Sequence, residues 1–191
     1  MLKMAQRDAV IEQGIRLITW TYDPLMSRNA HLNIRRLGTV CRTYLRNVYG
    51  DLRDELNRGL PTDRFQVEWW VTSPRVAARL KGSRGFLDLG HFLSGGARLI
   101  NTVTRTADGL PQPSDKLSAL EGTFLLVEIP SDFMAVKHKD PRLALTWRMH
   151  SRQAFELAFA AGYMVTDFVH VSDAKEERSY YLLSYGEAKL G

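Results

Sequence analysis

Cysteine is nearly absent: Cys41 is the single thiol in 191 residues. One thiol closes no internal disulfide, which excludes a disulfide-stapled fold and suits a reducing cytoplasm. Long hydrophobic runs are missing as well. No apolar stretch reaches about 18 residues, so a membrane-spanning helix and a membrane partner are not expected. The opening, MLKMAQRDAVIEQG, is charged and has no uninterrupted apolar core, so it does not read as a secretory signal. The five histidines, His31, His91, His138, His150 and His170, lack metal-ligand spacing with Cys, Asp or Glu, and no metal site is expected. Acidic residues are outnumbered, 21 against 26 basic ones, for a net charge of +5. The basic residues are scattered, and the densest group, Arg28, Arg35, Arg36, Arg42 and Arg46, is interleaved with core positions. A solvated surface is the plainer reading, and no nucleic-acid partner is expected.

What is present is ordinary globular material, 45% hydrophobic and 25% charged, enough to bury a core. Residues 2–13 read as a helix closed by Gly14. Ile15–Tyr22 reads as a strand apolar on both faces, stopped at Pro24. Ser27 is a good N-cap for a helix with Ala30, Ile34 and Leu37 on its buried stripe, ending at Gly38, and Thr39–Leu45 reads as a strand. A short helix is predicted over Asp51–Arg58, a strand over Phe65–Thr72, and a helix from Ser73-Pro74 to Leu80. From Lys81 to Ser118 the chain is rich in glycine and proline, only Arg98–Thr104 reads as a strand, and a flexible loop region is expected. Thr123–Ile129 is a strand stopped by Pro130, and Asp140-Pro141 opens a long helix ending at Gly162. Tyr163–Val171 and Arg178–Tyr185 then read as an antiparallel hairpin.

RLITWTYDPLMS…RRLGTVCRTYL and TFLLVEIPSDF…AAGYMVTDFV both run strand, Pro, helix, Gly, strand. The echo marks either two related units or the shared punctuation of Pro and Gly. The expected fold class is α/β to α+β, a mixed sheet with flanking helices. A single domain over 1–191 is expected, divided into 1–80, the loop region 81–118, and a strand–helix–hairpin unit over 119–191.

The stretch ITWTYDPLMSRNAHLNIRRLG holds the clearest chemistry. A strand feeding a helix start presents free backbone N–H groups to a ligand. Asn29 and Asn33 are four apart, so on an α-helix they share a face and can pair with a ligand's amides. The plainer reading extends the cap with Asn29 and leaves Asn33 solvated. Cys41, inside an apolar strand, reads as a small buried hydrophobe. KGSRGFLDLGHFLSGG is glycine-rich but lacks the strand–loop–helix setting and the Lys of a phosphate loop.

SRNAHLNIRRLG, between two strands and closed by Gly38, resembles the later half of the GNAT acyltransferase fold. ITWTYDPL, NRGLPTDRFQVEWW, VEIPSDF and FAAGYMVTDF are similar, over nearly the whole chain, to a bacterial predicted-acetyltransferase subfamily of that superfamily. The resemblance implies an acyl-CoA-dependent N-acyltransferase that passes an acetyl or succinyl group from acetyl-CoA or succinyl-CoA to a small-molecule amine, such as an amino acid. A non-catalytic interaction or regulatory module on the same scaffold is the alternative. The resemblance places Asn29, Ala30 and Asn33 beside the pantetheine arm.

Departures accompany the likeness. Ile34 stands where the superfamily often has a tyrosine acid, and Gly38-Thr39 replaces Gly-Phe. No Arg/Gln-x-x-Gly-x-Gly/Ala loop precedes the first helix, so the resemblance implies a missing N-terminal portion, an inactive fragment, and self-association through an exposed sheet edge. Tyr44 and Tyr49 are candidates for the missing acid. Trp70 is a candidate for the acceptor pocket. Arg148 and Arg152, one turn apart, are candidates to clamp an acceptor carboxylate, against the plainer reading of a solvated helix face.

Overall fold

The structure is a computed structural model, and it describes residues 2–50, 59–82, 85–173 and 176–186. The helix expected over Asp51–Arg58 lies outside the described residues. Helix α1, Leu2–Glu12, ends at Gly14, whose φ of 74° is one that side-chain-bearing residues rarely adopt. Strand β1, Leu17–Tyr22, leads through Asp23-Pro24 to helix α2, Ser27–Ala30. Helix α2 runs on without a break as a π-helix, His31–Arg36. Gly38, at φ 75°, turns the chain into β2, Val40–Leu45. Strand β3, Arg64–Trp70, and helix α3, Pro74–Lys81, follow, the helix capped by Ser73 and closed by left-handed Gly82.

The Gly- and Pro-rich segment is built into the fold. It forms helix α4, Leu89–Ser94, strand β4, Arg98–Leu99, and the two-stranded ladder of β5, Val103–Arg105, with β6, Pro111–Pro113. Ile100 and Asn101 are buried. The Asn101 amide donates to Glu128 O (2.9 Å) while its carbonyl accepts from Glu128 N (2.8 Å), extending the sheet edge through a side chain. Strand β7, Phe124–Ile129, leads to α5, Phe133–Lys139, capped by Asp132, and then to the long α6, Pro141–Ala160, capped by Asp140. Strands β8, Tyr163–Ser172, and β9, Glu177–Tyr185, form the closing hairpin.

The fold is α+β, with a seven-stranded mixed sheet in the order β1-β3-β2-β8-β9-β7-β4. The order contains the same device twice. Strand β3 lies between β1 and β2, antiparallel to both, and β9 lies between β7 and β8 in the same way. The two strand–helix–strand–strand units are mirrored across β2 and β8, which meet through the one bridge pair Cys41–Val165. The sequence echo is therefore an echo of topology. At the helix–strand turn each unit has a glycine with positive φ, Gly38 (75°) and Gly162 (88°). At Gly38 an added Cβ would also meet Arg79 Cγ at 3.1 Å.

Helix α6 brings Trp147 and Phe155 into the main core. The Phe155 ring packs on Phe65 (4.7 Å) from the first unit and Tyr181 (5.2 Å) from the second, so one aromatic cluster joins both. Two smaller clusters complete the packing: Leu37, Trp69, Val71 and Val76 around β3 and α3, and Phe92, Leu126, Val169, Tyr180 and Leu182 under α4. Strand β1 is an outer strand of the sheet, hydrogen-bonded only to β3 among the described residues. No helix among the described residues is long and apolar enough to cross a membrane.

Candidate functional site

The Asp-Pro turn after β1 is held from three directions. Asp23 accepts from Leu25 N (2.9 Å), which folds the chain back after Pro24. Both of its carboxylate oxygens accept from Arg148 on α6, at 2.9 and 2.6 Å. Pro24 O accepts from the Tyr181 hydroxyl (2.8 Å). The start of α2 is thereby fixed against the second unit.

Ser27 does not cap that helix. Met26 occupies the cap position without a side-chain bond, and the Ser27 hydroxyl instead donates to Ser131 O (2.6 Å) at the start of α5. The two helix starts are thus stitched together. Ser131 Oγ and Ser179 Oγ lie 2.9 Å apart, and Ser179 Oγ lies 3.0 Å from His170 Nδ1. Between the helix starts lies a cleft of about 730 Å³. Ser27, Arg28 and His31 line it from the first unit, and Ser131, Asp132, Phe168, His170 and Glu177 line it from the second.

Partial burial pushes the His31 imidazole below its ordinary 6.5, and Arg36 and Arg35 push it further, so it stays neutral near pH 7. A neutral imidazole takes up a proton. Asp132 and Glu177 supply negative charge for an ammonium, and Arg28 supplies positive charge for a carboxylate. The cleft therefore suits a small ligand carrying both.

The residues singled out from sequence lie elsewhere. Asn29 is exposed, whereas Ala30 is fully buried and Asn33 is buried with its carbonyl accepting from Trp20 Nε1 (3.3 Å). The helix continues as a π-helix in which Leu37 N bonds Leu32 O, five residues back. Asn33 is taken up by the Trp20 N–H while Asn29 stays exposed, so the two do not act as a pair. The Tyr44 hydroxyl donates to Asp63 Oδ2 (2.8 Å), and burial raises its pKa far above 10. Arg152 grips the same Asp63 with two bonds of 2.8 Å. Arg148 and Arg152 are thus forked onto Asp23 and Asp63 of the first unit and are not a solvated face; Arg148 is buried, whereas Arg152 is half-buried and lines a cavity with Arg46, Arg142 and Glu156. The structure brings them together with Tyr44 as an internal network. Trp70 is half-buried, its Nε1 donating to Glu68 Oε2 (3.1 Å). Tyr49 is exposed, with Arg64 over its ring. Cys41 is buried and its thiol pKa is raised by that burial.

Sequence reasoning missed His31, His170, Ser131, Ser179, Asp132 and Glu177 as a group. One signal was available: Ser27 and His31 are four apart at the helix start. The rest depends on the register that sets His170 opposite Ser179 and on the approach of the two units. Among the described residues no group of three His, Cys, Asp or Glu side chains could hold a metal ion. Compared with protein-family models, curated proteins and solved structures, the chain matches none.

Proposed function

We propose that this chain belongs to an acyl-CoA-dependent N-acyltransferase of the GNAT type, which moves an acetyl or succinyl group onto the amine of a small molecule such as an amino acid. The single observation that carries the reading is the cleft between the two helix starts, where a neutral His31 faces carboxylates and an arginine. An amino acid arrives as an ammonium and must lose a proton before its nitrogen can attack a thioester. Asp132 and Glu177 draw the ammonium in, Arg28 meets the carboxylate, and His31 accepts the proton. His170, bonded to Ser179, adds a second imidazole to the lining. Asn29, Ala30 and Asn33 do not form an open groove, so no step along them is derived for the pantetheine arm.

A non-catalytic module on the same scaffold is the second reading. It is favoured by the engagement of Ala30, Asn33, Tyr44, Arg148 and Arg152 in internal packing and pairing. The two separate in one experiment. The chain is mixed with acetyl-CoA or succinyl-CoA and each common amino acid, free CoA thiol is followed, and the His31 imidazole is watched by NMR. Thiol release that His31→Gln lowers by about 100-fold supports acyl transfer. Imidazole shifts without thiol release favour the non-catalytic module, and the absence of both removes the acceptor cleft.

A further inference from the structure

Arginines across most of this molecule have a carboxylate each: Arg42 with Glu68, Arg46 with Glu156, Arg148 with Asp23, Arg152 with Asp63, Arg178 with Glu128. Asp23 also has Arg64 at 3.8 Å, and one further place departs more from the pattern. Arg35 and Arg79 both grip Asp167 Oδ2, at 3.1 and 2.6 Å. Arg75 lies beside them, within electrostatic reach of Arg79 and Asp167, and its own bonds go to backbone carbonyls, Gly38 O (3.1 Å) and Thr166 O. Arg36 joins through the Phe86 ring, whose centroid lies 4.5 Å from the Arg35 guanidinium, 5.0 Å from Arg79 and 5.8 Å from Arg36. Two guanidinium groups therefore pair with one carboxylate, Arg75 lies within its electrostatic reach and Arg36 shares the Phe86 ring, and among the described residues no other acid lies within ion-pair distance of the four.

Concentrating cations in a partly buried place is costly unless an anion balances them. The cost is visible at Arg75, whose pKa is pushed down to about 10 by burial and by Arg79. Planar guanidinium forks fit phosphate oxygens, and several in one place fit a group with more than one negative charge.

We propose that Arg36, Arg75 and Arg79, backed by Arg35 and the Phe86 ring, form a binding site for a multiply charged phosphate group, carried by a CoA-type cofactor or free in solution. The site adjoins the cleft through His31, which feels Arg35 and Arg36. The inference does not rest on acyl transfer, because occupancy is read without turnover.

The test is isothermal titration of the full chain with inorganic pyrophosphate, at about 0.1 M salt so that loose surface attraction is screened. Saturable binding is expected. Arg36→Gln should weaken it about tenfold, the loss of one charge-assisted contact, and Arg36→Gln with Arg75→Gln should remove it. Arg36 is exposed and has no carboxylate partner among the described residues, so its variant keeps the fold. Arg98→Gln, at the exposed Glu121 pair, should leave the affinity unchanged. CoA binding tighter than pyrophosphate, with the same dependence on Arg36, assigns the phosphate to a cofactor; equal affinities assign it to a free oligophosphate. In either case the His31 imidazole should titrate at a higher pH when the anion is bound, since the charges of Arg35 and Arg36 are then offset while Asp167 and His170 stay in place. Absence of saturable binding overturns the proposal, as does equal loss in Arg98→Gln. So does binding of a DNA duplex that pyrophosphate fails to displace.

Discussion

The two strand–helix–strand–strand units share topology and punctuation but bury their first strands very differently. Strand β7, FLLVEI, is buried at five of its six positions, between β9 and β4. Strand β1, LITWTY, carries two threonines and has a neighbour on one side only, and of its residues only Tyr22 is buried. Composition and the company the strand keeps act together on its burial. The connecting helices differ in the same direction. The second unit spends seven residues of α5 and twenty of α6, with Trp147 and Phe155 fully buried. The first has a short helix with a π-helical stretch. Apolar stability is therefore concentrated in the second unit, while the first is tied to it by a shared aromatic cluster and by the forks of Arg148 and Arg152. The polar cleft forms where the two meet, and neither unit makes it alone.

The largest expected effect tests the shared cluster. Phe155→Ala should cost about 4 kcal/mol, since the ring is fully buried between the two units. Urea unfolding followed by tryptophan fluorescence reports on Trp20 and Trp69 in one unit and Trp147 in the other. A single transition is expected in the parent chain, and separate transitions would break the picture of one cooperative sheet. Next comes the bridge between the units. Arg148→Met should cost about 3 kcal/mol by leaving Asp23 without its fork, and adding Asp23→Asn should recover most of the loss. A double variant as unstable as the single would show that packing of the arginine stem, not pairing, is what matters.

A smaller effect belongs to the first unit alone. Asn33→Ala removes the acceptor of the Trp20 N–H and should cost about 1 kcal/mol in the same unfolding assay. The smallest effect sits in α6. His150 is buried, its Nε2 has no hydrogen-bond partner among the described residues, and burial lowers its pKa below 6.5. The unfolded chain takes up a proton near 6.5 while the folded chain does so only at lower pH. Stability should therefore begin to fall as pH drops through about 6.5 and level off below the folded value. His150→Leu should flatten that part of the pH profile.

Most of the element pattern is local and could be read from the sequence. Pro24 and Pro130 stop strands, Gly38 and Gly162 turn helices into strands, and Asp140 caps α6 as its position before Pro141 predicts. What could not be read is non-local. Ser27 looks like an N-cap, and only the approach of Ser131 explains why its hydroxyl points away from its own helix. Arg148 and Arg152 are one turn apart, but the carboxylates that claim them lie 125 and 89 residues away in sequence. Asn29 and Asn33 are four apart but do not act as a pair, because Trp20 on the preceding strand claims Asn33, a contact that helical spacing does not announce. The segment 81–118 reads as loop because its glycines and prolines interrupt every period, whereas it is built in by a short helix, by short strands and by the Asn101 side chain on Glu128, a non-local contact.

The most direct measurement of the proposed acceptor role of the cleft is an NMR pH titration of the His31 imidazole in the full chain, without and with a saturating amino acid. The expected result is a pKa below 6.5 in the free chain and a change in the His31 signal when the amino acid is added, abolished by Asp132→Asn with Glu177→Gln. A His31 that titrates at or above 6.5 and ignores every amino acid would contradict the assignment of the cleft as an acceptor site.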